Sequence, residues 1–186
     1  MKVMVITGSP NKNGLTAACG EQAGLGAAHA GAEVYHVRLN DMNIGLCHAC
    51  SGGWGTCRDE HYCQVQDDFQ DLHATLKEMD GFVIVTPVYW GDMSESTKAF
   101  LDRLRRCEAF KKSGSFLSGK PFIIVAAAGG SGNGVMSCLS SMERFVDHNK
   151  GVKFDNLGVT RRNKEHKLKA IFESTKTMTE GIKESR

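Results

Sequence analysis

Three stretches of this chain are apolar at four consecutive positions: Val3-Met4-Val5-Ile6, Phe82-Val83-Ile84-Val85 and Phe122-Ile123-Ile124-Val125. A strand with one face in water alternates apolar and polar residues. A run without alternation needs cover on both faces, as in the central strands of a parallel sheet held between helix layers. Two further β-rich runs complete a set of five predicted strands, at 2–7, 33–37, 82–86, 121–127 and 152–159. Helical patterns lie between them. Met93, Thr97, Phe100, Leu101 and Leu104 share one helical face, and so do Leu168, Ile171, Phe172, Thr175, Met178 and Ile182. Strand–helix alternation of this kind predicts a three-layer α/β fold, a five-stranded parallel sheet with helices on both faces.

With 186 residues and no repeat or linker, a single domain over 1–186 is expected. Lys and Arg number 23 against 21 Asp and Glu, a balance of +2 that excludes a nucleic-acid protein working through a large basic surface. Met1 and Lys2 lead directly into the first strand, too short an apolar stretch for an export signal or a membrane span. Seven cysteines in such a chain point to reduced thiols or metal ligands, and to the cytoplasm, rather than to a disulfide framework.

In open α/β sheets a ligand sits beyond the carboxyl ends of the strands, where strand order reverses. The loop after the first strand reads Gly8-Ser9-Pro10-Asn11-Lys12-Asn13-Gly14-Leu15-Thr16 and opens an Ala-rich helix. Its glycines permit close approach, its Ser, Asn and Thr side chains donate hydrogen bonds, and the helix start adds free N–H groups, so it suits a phosphate. It is not a Walker loop, because five residues separate its glycines and Leu15 stands where Lys is required. The dinucleotide pattern G-x-G-x-x-G is absent, and no Cys or Arg offers a phosphatase cradle. Cys138 and Arg144 have a C-x5-R spacing, but the residues between them read as helix. The end of the first strand also lacks the acidic cluster of a phosphoacceptor signalling domain.

The third strand leads into Thr86-Pro87-Val88-Tyr89-Trp90-Gly91-Asp92-Met93, whose adjacent aromatics suit the cover of a flat ring. The fourth ends in Gly129-Gly130-Ser131-Gly132-Asn133-Gly134, where backbone N–H groups reach a planar ligand without side chains intervening.

Together these segments, with Asp67-Asp68 and Lys98-Ala99-Phe100-Leu101-Asp102-Arg103, resemble the NADPH-dependent FMN reductase family of flavodoxin-like flavoproteins. The resemblance covers about residues 1 to 135 and is most specific from Pro87 to Arg103. It implies a flavodoxin-like sheet that binds FMN without a covalent bond and assembles as a homodimer or homotetramer. It also implies that Ser9, Asn11, Asn13, Gly14, Leu15 and Thr16 hold the phosphate. Pro87, Val88, Tyr89, Trp90, Gly91 and Met93 would flank the ribityl chain and ring, with Gly129, Gly130, Ser131 and Gly132 closing the other side. Where that family often has a basic residue and an Asn, this chain has Asn11 and Leu15. Lys98, Asp102 and Arg103 read as helix-surface and subunit contacts.

Cys47, Cys50, Cys57 and Cys63 fall within seventeen residues, flanked by His48 and His61. Only one C-x2-C pair is present, so a zinc ribbon fits poorly. Iron–sulfur flavoproteins, relatives of the same family, carry a compact cysteine motif just before an Asp-Asp pair. Cys47, Cys50 and Cys63 follow that pattern, but its third ligand falls near Gly53 and Cys57 stands four residues later. Two readings stay open: four thiolates on an iron–sulfur cluster, or reduced thiols lining a substrate pocket or a subunit contact. Cys19, Cys107 and Cys138 read as small core residues.

The expected activity is an oxidoreductase in which NAD(P)H gives hydride to FMN and a small acceptor, such as a quinone, free flavin or metal, takes the electrons. The cofactor carries that chemistry, so no catalytic side chain is required. The alternative is an iron–sulfur flavoprotein or a flavodoxin-type carrier. Typical flavodoxin carriers are strongly acidic, whereas this chain has a pI of about 8.2.

Overall fold

A computed structural model describes residues 1–185. Five parallel strands, β1 (Lys2–Thr7), β2 (Glu33–Arg38), β3 (Gly81–Tyr89), β5 (Pro121–Ala128) and β6 (Val152–Thr160), lie in the order β2-β1-β3-β5-β6. A two-residue strand, β4 (Asp92–Met93), pairs antiparallel with the end of β3. Six helices connect them: α1 (Leu15–His29), α2 (Thr56–Asp59), α3 (Phe69–Leu76), α4 (Glu95–Glu108), α5 (Val135–His148) and α6 (Lys164–Glu184).

The unalternated apolar runs are explained by two cores, one on each face of the sheet. Met4, Ile6, Phe82, Ile84, Phe122 and Ile124 pack with residues of α3, α4 and α5, among them Phe69, Phe100 and Met142. Val3, Val5, Val83, Val85, Ile123 and Val125 point the other way and pack with α1 and α6 through Ala23, Ala27, Ile171 and Met178. Each fully buried side chain of this kind contributes about 1.5–3 kcal/mol. A charge at Val83, with no exposure on either side, would therefore break the sheet at its centre.

All five expected strands are present, but β3 runs three residues past its predicted end. Pro87 and Val88 are thus strand residues rather than loop residues. The Gly8 amide donates to the Val85 carbonyl at 3.0 Å, so Val85, and Pro87 two residues on, turn their backbone groups toward the side where β1 has already ended. A proline lacking an N–H is tolerated there.

Candidate functional site

The chain moves from β1 outward to β2 and then crosses to β3, so strand order reverses between β1 and β3. In the first loop, Ser9 Oγ accepts the Asn11 amide at 3.2 Å and Asn11 Oδ1 accepts the Asn13 amide at 3.0 Å. These successive side-chain turns fold the loop over the start of α1. Ser9 and Thr16 are buried, while Asn11 and Asn13 are exposed. Gly14 stands at the N-cap, no side chain caps the helix, and its first turn has no acidic residue. An uncapped helix start of this kind presents free N–H groups and a partial positive charge.

The second loop is bolted to the first. Ser94 Oγ donates to the Gly8 carbonyl at 2.6 Å, and the Ser94 amide donates to Thr86 Oγ1 at 3.0 Å. Ser94 also caps α4 by accepting the Thr97 amide. Only glycine fits at position 8, where a Cβ would lie 1.8 Å from Thr97 Oγ1. Val88 pairs with Met93 and Tyr89 with Asp92. Trp90 and Gly91 between them have φ of 50° and 81°, the positive pair of a type I′ hairpin turn. Trp90 is fully exposed and Tyr89 is 40% exposed, whereas Met93 is buried in the core.

The glycine loop after β5 meets this hairpin. Ser137 Oγ donates to the Gly91 carbonyl at 2.6 Å, and a Cβ on Gly134 would lie 2.5 Å from Gly91 Cα. Gly129, Gly130 and Ser131 are exposed, and a Cβ on either of those two glycines would meet nothing within 4 Å. The three loops flagged by sequence therefore converge on one rim. Their donor set fits FMN: uncapped amides for a phosphate, exposed aromatics and bare backbone for a ring. Pro87 and Met93, both buried, contribute backbone and shape rather than exposed side chains.

The cysteine loop is fastened at two places. At its base Asp68 Oδ2 accepts the Asn43 amide at 2.7 Å and Asp67 Oδ2 accepts the Gly45 amide at 2.9 Å. Arg103 donates to both Asp67 oxygens, at 2.6 and 2.9 Å, and to the carbonyls of Gly45 and Val65. Its guanidinium lies 4.4 Å from the Phe69 ring centroid, and the residue is 1% exposed. The surface role expected for Arg103 is thus corrected to a buried clamp. Lys98 and Asp102 do form the expected i,i+4 ion pair, half-exposed on α4. Burial pushes the Asp67 carboxyl up, but hydrogen bonds from Arg103 and from the Gly45 and Phe69 amides outweigh it and hold the pKa below its ordinary value.

At the outer end of the loop Arg106 stacks 3.9 Å from the Trp54 ring centroid and donates to the Gly53 carbonyl. Phe110 meets the same indole edge-on. Cys47, Cys50, Cys57 and Cys63 all line one cavity of about 20 Å3, together with His48, Arg103 and Arg106. A space of that size holds roughly one water. Among the described residues no three His, Cys, Asp or Glu side chains are grouped so that they could hold a metal ion. An iron–sulfur cube does not fit this arrangement, because the third thiol of the motif, expected near Gly53, stands four residues later at Cys57, and the Gly53 carbonyl is held by Arg106, which stacks on Trp54.

One feature was missed by sequence reasoning. His73 and Glu108, 5% and 0% exposed, bond at 2.9 Å. Glu108 also accepts Ser115 Oγ at 3.1 Å and the Phe116 amide at 3.3 Å. Burial pushes the Glu108 carboxyl up, but His73 and Lys111 outweigh it and keep the pKa low. The signal was present in the sequence: His73 follows Phe69 by four and precedes Leu76 by three, on the apolar face of α3. Among the described residues no helix is long and apolar enough to cross a membrane.

An iron–sulfur flavoprotein of Methanocaldococcus jannaschii is 33% identical over 105 residues, covering 56% of this chain and 52% of that one. The chain thus spans about half the length of that relative. A second iron–sulfur flavoprotein from the same organism is 28% identical over 179 residues, 93% of this chain and 87% of its own. Among solved structures, a flavone reductase superposes with a TM-score of 0.77 at 18% identity, over 100% of this chain and 64% of its own. That likeness and the match to an archaeal flavodoxin structure identify the fold as flavodoxin-like. The family of NADPH-dependent FMN reductases matches over residues 1–163, and the chain belongs to it.

Proposed function

We propose that this protein is an oxidoreductase that binds FMN at the rim formed by the loops after β1, β3 and β5, takes hydride from NAD(P)H and passes electrons to a small acceptor such as a quinone, free flavin or metal. The observation that carries the reading is the convergence of those three loops at the strand-order reversal of a family member. FMN, when bound, supplies the redox chemistry. The chain's residues bind and orient it.

The uncapped start of α1, with Ser9, Asn11, Asn13 and Thr16, holds the phosphate. Tyr89, Trp90 and Gly91 flank the ring from the hairpin, and Gly129, Gly130, Ser131 and Gly132 offer N–H groups along its other side. No side chain on this rim needs to move a proton. We place the protein in the cytoplasm, and we read it as a homo-oligomer; the fully exposed Trp90 and the 76% exposed Met136 support the second reading.

Reconstitution with FMN and anaerobic absorption spectra before and after NADPH test the proposal. Retained flavin bands that bleach on addition, followed by turnover with a quinone, are expected. A protein that keeps no FMN would refute the site, and flavin that bleaches with neither nicotinamide would leave a carrier. Thr16→Glu, which puts a carboxylate at the helix start, should abolish FMN retention while the fold persists.

A further inference from the structure

Cys57 and Cys63 are drawn together by the residues beside them. Thr56 Oγ1 donates to the Tyr62 carbonyl at 2.6 Å, and the Thr56 amide donates to Gln64 Oε1 at 3.3 Å. Both cysteines pack against the same core and line the same cavity of about 20 Å3 between the loop and α4. Both are half-buried free thiols.

Two cations share that cavity, Arg103 and Arg106. Arg103 gives two hydrogen bonds to Asp67 and reaches the Cys63 sulfur as well. Arg106 forms no salt bridge among the described residues; it holds the Gly53 carbonyl and the Trp54 ring. The Nε–H groups of both arginines are buried and have no acceptor among the described residues. A guanidinium keeps its charge at any physiological pH, and beside a sulfur it favours the thiolate, the form that attacks an electrophile. Buried donors without an acceptor suit a small oxygen-bearing guest. The cavity limits that guest to roughly the size of one water. Among thiol oxidants hydrogen peroxide comes nearest to that size, whereas a small disulfide is far larger.

We propose that Cys63 is a peroxide-reactive thiol and that Cys57 captures its oxidised sulfur, so that a cysteine loop unsuited to an iron–sulfur cube works as a two-thiol redox site. The Cys63 thiolate sulfur bonds to one peroxide oxygen and the O–O bond breaks. The second oxygen leaves as hydroxide and takes up the proton that the thiol released, giving water. Cys63 is then a sulfenic acid. The Cys57 sulfur bonds to it, the S–O bond breaks and a second water leaves. Two thiols and one peroxide thus become one disulfide and two waters. Neither step uses flavin or a nicotinamide.

The full chain, reduced with dithiothreitol and desalted under nitrogen, is treated with one equivalent of hydrogen peroxide. Remaining thiols are counted by mass after denaturation in maleimide, and tandem mass spectrometry locates the link. Two of the seven thiols should be lost, Cys57 and Cys63 should be joined, and dithiothreitol should restore both. The native chain should lose them about tenfold faster than the same chain in urea, where no guanidinium is held beside the sulfur. Cys57→Ser should stop at the sulfenic acid of Cys63, trapped as a dimedone adduct. Cys63→Ser should lose the fast reaction altogether, and Arg106→Gln should slow it severalfold. Thermal unfolding reports whether each variant remains folded.

Thiols that oxidise no faster in the native chain than in urea would overturn the proposal. So would a link to Cys47 or Cys50, a link between two chains, or a fast reaction that survives Cys63→Ser. Stoichiometric iron in the purified protein would overturn it too, because a cluster would occupy the same sulfurs.

Discussion

Asp67→Ala is the perturbation with the largest calculable effect. Arg103 and Asp67 have side chains 0% and 6% exposed and N···O distances down to 2.6 Å. Removing the carboxylate leaves a buried guanidinium without its anionic carboxylate partner, held by the carbonyls of Gly45 and Val65, the Phe69 ring and Cys63, and strands the Gly45 and Phe69 amides. Breaking one side of a buried pair costs about 3–5 kcal/mol. In a chain of this size that lowers the unfolding midpoint by roughly 6–20 °C. Thermal and urea unfolding measure it, and limited proteolysis should show cuts within 43–66 before the sheet opens. The pH dependence has a definite sign. The folded Asp67 carboxyl titrates below its ordinary value, so its contribution is complete above about pH 4 and is lost as pH falls through the folded pKa. The variant should lack that part of the acid sensitivity. A cost below about 1 kcal/mol, the range of exposed pairs, would mean that Arg103 reaches water and would refute the clamp.

The other predictions concern neighbouring parts of the molecule. Gly8→Ala forces a Cβ against Thr97 Oγ1; it should destabilise by roughly 1–3 kcal/mol and abolish FMN retention, read by unfolding and by absorbance after desalting. Trp54→Ala removes the ring under Arg106 and should speed proteolysis of the cysteine loop severalfold without moving the global midpoint by more than a few degrees. Maleimide labelling at pH 8 should reach Cys47, Cys50, Cys57 and Cys63 while sparing Cys19, Cys107 and Cys138, whose thiols burial pushes up to about 12. Iron and acid-labile sulfide should both be absent from anaerobically purified protein if the cysteine loop keeps the arrangement described; stoichiometric iron would show that the loop rearranges around a cluster.

The sheet was legible because its central strands are buried on both faces, and that condition writes itself into sequence as Val3–Ile6, Phe82–Val85 and Phe122–Val125. The meeting of the three loops on one rim was legible too, because each follows a predicted strand of the same parallel sheet and β1, β3 and β5 lie side by side. The hairpin at Trp90-Gly91 was not, since its turn depends on positive φ at two residues and only one of them is glycine. Arg103 was misread because its neighbour Asp102 pairs with Lys98 on the helix exterior. Its own position, three after Phe100 and four before Cys107, is on the buried side. What hid it was the absence of any local sign of its partner, since Asp67 lies 36 residues away.

The hydroxyl of Ser94, resting on the Gly8 carbonyl, has a thermodynamic corollary. The loop after β1 and the hairpin after β3 are anchored to the same residue, so a displacement of one is felt by the other. Affinity losses from Ser94→Ala and from substitutions in the loop at 9–16 should therefore fail to sum, with a coupling of about 0.5–3 kcal/mol in a double-mutant cycle. Evolution or engineering that retunes one end of such a cradle must retune its opposite end as well.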